Sequence, residues 1–136
     1  MVESLWSIPA ANNIRAPLII MKEQATALTE QTGGSLVGLV ETDAYGSDDL
    51  AINLSILVPS LNNYKYRLVT YTQPITMYPG SLDSGVPKAS GSHHYVPPQS
   101  FKVENEQEFL VALGRLLSSD EVKHLLSSLL VQANAA

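Results

Sequence analysis

The residues best equipped for chemistry stand together in one short run, His93-His94-Tyr95. Histidine titrates near neutral pH and ligates metals, so a loop carrying two of them could deliver a base or a pair of ligands. The spacing argues against chelation by this pair. Adjacent residues do not share a helix face, and on a strand they point to opposite sides. A closed site needs a third ligand, such as Asp83 or His124, from distant parts of the chain. The run is therefore read as a solvated loop, and no metal and no cofactor are assigned to it. His124 follows Asp120 and Glu121 by four and three residues, the spacing of an ordinary surface pair on a helix.

Other patterns fall short of a site for definite reasons. Glu41, Asp43, Asp48 and Asp49 crowd one turn but lack the alternating ligands and closing Glu of a calcium-binding loop. Tyr64-Lys65-Tyr66-Arg67 alternates aromatics with cations, which puts them on opposite faces of a strand, whereas RNA-binding sheets present both on one face. Thr32-Gly33-Gly34-Ser35 closes a helix instead of opening one, so it lacks the free N–H groups that hold phosphate. Asn53-Leu54-Ser55 matches a glycosylation sequon but falls in mid-strand. No serine sits in a nucleophile elbow. The chain has no cysteine, which removes thiolate nucleophiles, thiolate metal sites and disulfide scaffolds. No catalytic residue is assigned.

The 136 residues suit a single domain, taken as residues 1–136. Net charge is −5, with only 8 Lys and Arg spread along the chain. Nucleic acids and anionic membranes both need clustered cations, so neither is an expected partner. Charged residues make up 15 %, against about 25 % in an average domain. Such a chain covers its surface with Ser, Thr, Asn and Gln, or hides surface in a homo-oligomer. The N-terminus lacks a basic stretch followed by an apolar one, and no apolar run reaches the ~20 residues of a membrane span. The expected compartment is the cytoplasm.

The elements that must position these residues follow from periodicity. Residues 1–16 form a loose lead-in whose Leu5, Trp6 and Ile8 are expected to dock on the core, with Trp6 as an anchor. Pro17 opens a helix over about 17–32, with Leu18, Met21, Ala25 and Leu28 as its apolar stripe and Gly33-Gly34 as its stop. Residues 35–42 read as a strand in which Gly38 marks a bulge or a close backbone approach. Leu50, Ile52, Leu54, Ile56 and Val58 share one parity of a second strand and are expected core. Ser60-Leu61-Asn62-Asn63 makes a hairpin turn, and 64–73 is a third strand rich in Tyr, Thr and Val. Ile75–Tyr78 is read as a short edge strand. Residues 79–100, with four Pro, three Gly and five Ser, are read as a long loop. Asn105 with Glu108, then the run Ser118-Ser119-Asp120-Glu121, start two C-terminal amphipathic helices. The expected fold class is α+β: an N-terminal helix, a three- to four-stranded antiparallel meander, the long loop, and two helices packed on the sheet.

Two functional readings follow. In the first, the chain is a non-enzymatic protein-interaction module acting on another protein or on itself as a homodimer. Its surface would use the second sheet parity (Leu57, Val69, Tyr71, with Ala51) and the wide leucine arc of the last helix (Leu126, Leu130, with Leu125 and Leu129). By size, charge and element order it loosely resembles bacterial secretion chaperones and similar adaptor or immunity proteins, an analogy without a shared motif. In the second, loop 79–100 is a lid over the sheet, and His93, His94, Tyr78 and Tyr95 line a pocket of a small-molecule binder or hydrolase.

Overall fold

The computed structural model describes residues 3–9, 14–45, 48–86 and 99–136. Pro17 opens helix α1 (Pro17–Gln31) at its first helical position, where a missing N–H removes no helical bond. The helix stops at Gly33 and Gly34, both at positive φ (59° and 86°). Their N–H groups donate to the carbonyls of Glu30 and Thr29, satisfying the open end. Pro17, Ile20, Met21 and Ala25 form the buried stripe.

Among the described residues five strands follow: β1 (Val37–Tyr45), β2 (Asp49–Val58), β3 (Tyr64–Gln73), β4 (Gly80–Ser84) and β5 (Ser100–Val103). They form one antiparallel sheet in the order β1-β2-β3-β4-β5, each paired with its neighbour in sequence. The meander is thus larger than the three to four strands expected. Two corrections explain the difference. Residues 75–78 form no strand: Ile75 is exposed and Met77 takes a positive φ of 76°. The extra pairing comes from inside the presumed long loop. There Gly80–Ser84 is hydrogen-bonded to β3 on one side and to β5 on the other, burying Leu82.

β2 behaves as its alternation requires. Ile52, Leu54, Ile56 and Val58 are buried, and Leu50 packs against the same core. Each fully buried aliphatic side chain contributes about 1.5–3 kcal/mol. The turn after β2 is a short 3-10 segment (Pro59–Leu61). Asn62 and Asn63 both adopt positive φ (57° and 60°) after it, as asparagine tolerates.

The C-terminal helices begin where their caps predict. α2 (Glu106–Leu117) has Asn105 as its N-cap, whose side chain accepts from the Glu108 N–H at 2.9 Å. The Glu108 carboxylate accepts in return from the Glu104 N–H at 3.0 Å, one residue outside the usual box. α3 (Asp120–Ala135) is capped by Ser119, which accepts from the Val122 N–H at 3.3 Å.

All three helices lie on one side of the sheet. α1 packs over β1, α2 over β4 and β5, and α3 against the 3-10 turn after β2. The seat of α1 is set by Gly38. A Cβ there would stand 2.3 Å from the Ala25 carbonyl oxygen, so only glycine lets the helix approach this closely. The Gly38 N–H also donates to the Thr29 hydroxyl of α1 at 2.9 Å. No helix among the described residues is long and apolar enough to cross a membrane.

Candidate functional site

His93, His94 and Tyr95 lie outside the described residues. His124 is exposed on α3, and among the described residues it forms no ion pair with Asp120 or Glu121. No group of three His, Asp or Glu converges as a metal site among the described residues.

The expected interaction patch does not assemble as one surface. Val69 and Tyr71 are 1 % and 0 % exposed, beneath the helices. The reason is a bulge. The β2–β3 register shifts between Leu54, which faces Val69, and Ser55, which faces Arg67, leaving Leu68 as the additional residue of β3. One extra residue inverts the parity of everything after it. Tyr64 and Tyr66 therefore share the helix-covered face with Val69 and Tyr71, while Lys65 and Arg67 share the open face with half-buried Leu57. Leu126 and Leu130 remain half-buried on α3.

Much of the open face is polar and cross-linked by side chains. Asn53 donates to Asp43 at 3.2 Å and accepts from the Thr70 hydroxyl at 2.6 Å. Ser100 donates to Asp83 at 2.5 Å, and Lys65 reaches Glu41 at 2.9 Å. One set links β1, β2 and β3, and the other links β4 to β5. Beside these groups, Val37 and Leu39 of β1 share the face with Leu57, and all three are half-buried.

Under the opposite face, Tyr71 meets Phe109 edge-on with ring centroids 4.8 Å apart, and Tyr78 lies 6.4 Å from the same ring. The Tyr71 hydroxyl donates to the Met77 carbonyl at 2.7 Å. Burial raises its pKa above the ordinary phenol range, and the neighbouring Tyr78 adds to the shift. The Tyr78 hydroxyl is pushed up to about 12, first by burial and then by the Glu106 carboxylate, with Arg15 opposing. Both phenols are therefore neutral donors at physiological pH.

Tyr78 is used to hold the chain that enters α1. Its hydroxyl donates to the Arg15 carbonyl at 3.3 Å, while the Arg15 N–H donates to the Glu106 carboxylate at 2.6 Å. The Arg15 guanidinium pairs with Glu23 in the second turn of α1. The root of the N-terminal segment is thus tied to α2 and to the β3–β4 connection.

Beyond that root, Leu5, Trp6 and Ile8 are 95 %, 85 % and 83 % exposed. The expectation that Trp6 anchors on the core is not met. The helices already cover the apolar face of the sheet. Three large apolar side chains within four residues remain in water, in the uncharged run Ser4-Leu5-Trp6-Ser7-Ile8-Pro9. The signal was visible in the sequence as an apolar run too short for an element and closed by a proline.

A second apolar feature lies in the helix layer. Because α1 sits over β1 and α2 over β4 and β5, the layer opens above the middle strands. A cleft of about 160 Å³ results, walled by Ala27 and Leu28 of α1 and by Leu117 and Leu126 of the C-terminal helices. Its floor is Leu54 and the bulged Leu68, and no charged residue among those described lines it. Comparison with known proteins found no matching family model, no similar curated protein and no similar solved structure.

Proposed function

We propose that the chain is a non-enzymatic protein-interaction module of the cytoplasm, an adaptor of the bacterial chaperone or immunity type, with residues 4–9 as a contact element. The supporting observation is the exposure of Leu5, Trp6 and Ile8 together. Single exposed apolar residues are common, but a contiguous group is a recognition feature. Tryptophan is among the residues that dominate interface energetics, because one side chain buries a large area at low entropic cost.

The fixed root strengthens this reading. Arg15 is held by Tyr78 and Glu106, so less freedom remains to be lost when the segment docks. The test compares proteins retained from a lysate of the source cells by the immobilised native chain and by a Leu5→Ser, Trp6→Ser, Ile8→Ser variant, counting the chain itself among partners. The expected result is at least one protein held in near-stoichiometric amount by the native chain and lost from the variant. Identical retained sets would overturn the proposal.

A further inference from the structure

We infer that the partner of the N-terminal segment is a second copy of this chain: Trp6 of one protomer enters the apolar cleft between α1 and the C-terminal helices of the other, and the exchange is reciprocal. The inference rests on the interaction reading above and names its partner.

The two features are complementary in chemistry. The segment presents Leu5, Trp6 and Ile8 with no charge among residues 4–9. The cleft is lined by Ala27, Leu28, Leu54, Leu68, Leu117, Val122 and Leu126, with only Gln24 and Gln31 as polar neighbours. They also match in size. An aliphatic cavity of about 150 Å³ accepts a benzene-sized ring, so a cleft of about 160 Å³ open to the surface takes the six-membered ring of an indole with the rest at its mouth. The two glutamines offer side-chain carbonyls at the rim, which suits an indole N–H that must find an acceptor on burial.

An apolar segment and an apolar cleft among the described residues, neither filled by the other, are both satisfied by pairing with a second copy. Reciprocal exchange makes the contact two-fold and closed, so it ends at the dimer. Within its own chain Trp6 stands 85 % exposed, outside the cleft. Arg15 is tied to Tyr78 and Glu106 at the N-terminal end of α1, whereas the cleft lies along its last two turns, Gln24 to Gln31.

Trp6 is the chain's one tryptophan, so its fluorescence reports this contact alone. The experiment follows emission, acrylamide quenching and light-scattering mass across protein concentration for the native chain. It repeats them for Trp6→Ser, which keeps the cleft, and for Leu126→Gln and Ala27→Arg, which damage opposite walls and keep Trp6. Circular dichroism checks that each variant is folded, and two wall variants guard against the loss of either one. As the native mass doubles, emission is expected to shift to the blue and quenching to fall several-fold. Each wall variant alone remains monomeric with a hydrated Trp6. Mixing a wall variant with Trp6→Ser restores the blue shift, because Trp6 of one chain finds the intact cleft of the other.

Three results would overturn the inference: a blue-shifted Trp6 at monomer mass, meaning docking in its own cleft; a hydrated Trp6 in a dimer; or a hydrated Trp6 in a monomer at every concentration. The last leaves the interaction reading standing, to be decided by the retained-protein comparison.

Discussion

Gly38 of β1 lies against the backbone of Ala25 in α1, so close that an added Cβ would meet three backbone atoms of Ala25 within 2.6 Å. Backbone cannot rotate away as a side chain can. Gly38→Ala is expected to lift α1 from the sheet and to cost about 2–3 kcal/mol, at the upper end of ordinary overpacking. Urea unfolding of the two proteins reads the difference directly. A loss below 0.5 kcal/mol, the scatter of neutral surface changes, would show that the helix seat is looser than described.

The Tyr71 hydroxyl is the buried donor to the Met77 carbonyl. Tyr71→Phe keeps the ring against Phe109 and leaves that carbonyl without its partner. A loss of about 1–2 kcal/mol is expected, with an unchanged denaturant slope because the exposed area on unfolding is the same. A neutral outcome in urea titration would mean that water replaces the hydroxyl.

Tyr78 carries a pH signature whose sign follows from its raised pKa. The folded state holds the phenol neutral up to about 12, against 10.0 in the unfolded chain. Its contribution is therefore complete below pH 10 and is lost as pH rises from 10 towards 12. The urea midpoint should fall across that window, and Tyr78→Phe should flatten the fall. Parallel curves for the two proteins would remove Tyr78 as the cause.

Asn105 caps α2 through the Glu108 N–H. Asn105→Ala should cost about 1 kcal/mol. The Lys65–Glu41 pair on the open face is about half exposed at both ends, and Lys65→Ala should change stability by less than about 0.5 kcal/mol. Thermal unfolding of the two variants side by side tests the ranking: the reverse order would be incompatible with the placement of these groups.

What could be read in advance depended on whether local pattern or long-range pairing decided the outcome. β2 was legible because its alternation is uninterrupted, and α2 and α3 because Asn105 and the Ser118-Ser119 run announce their starts. Gly38 was legible as a close approach, although not the helix that makes it. β4 was hidden because Gly-Ser-Leu-Asp-Ser has turn composition, and only its neighbours β3 and β5 impose the extended form. Val69 and Tyr71 were assigned to the wrong face because a single bulged residue, Leu68, leaves no mark in a sequence of good strand formers. The cleft was equally invisible: its floor residues Leu54 and Leu68 come from different strands, and its walls from different helices. Trp6 shows the converse limit, since residue type states how much area is available to bury and not what will cover it.

The strand order has a kinetic consequence. Every strand pairs with the one beside it in sequence, so no pairing has to wait for a distant segment to arrive. Closing a short loop is entropically cheap and grows only slowly more costly with length. The sheet can therefore zip hairpin by hairpin from β2–β3, and even β4 and β5 are separated by only the residues between Ser84 and Ser100. Folding speed tracks the sequence separation of native contacts, which places this chain among the quick folders for a protein with a five-stranded sheet and shortens the time its apolar strands spend uncovered.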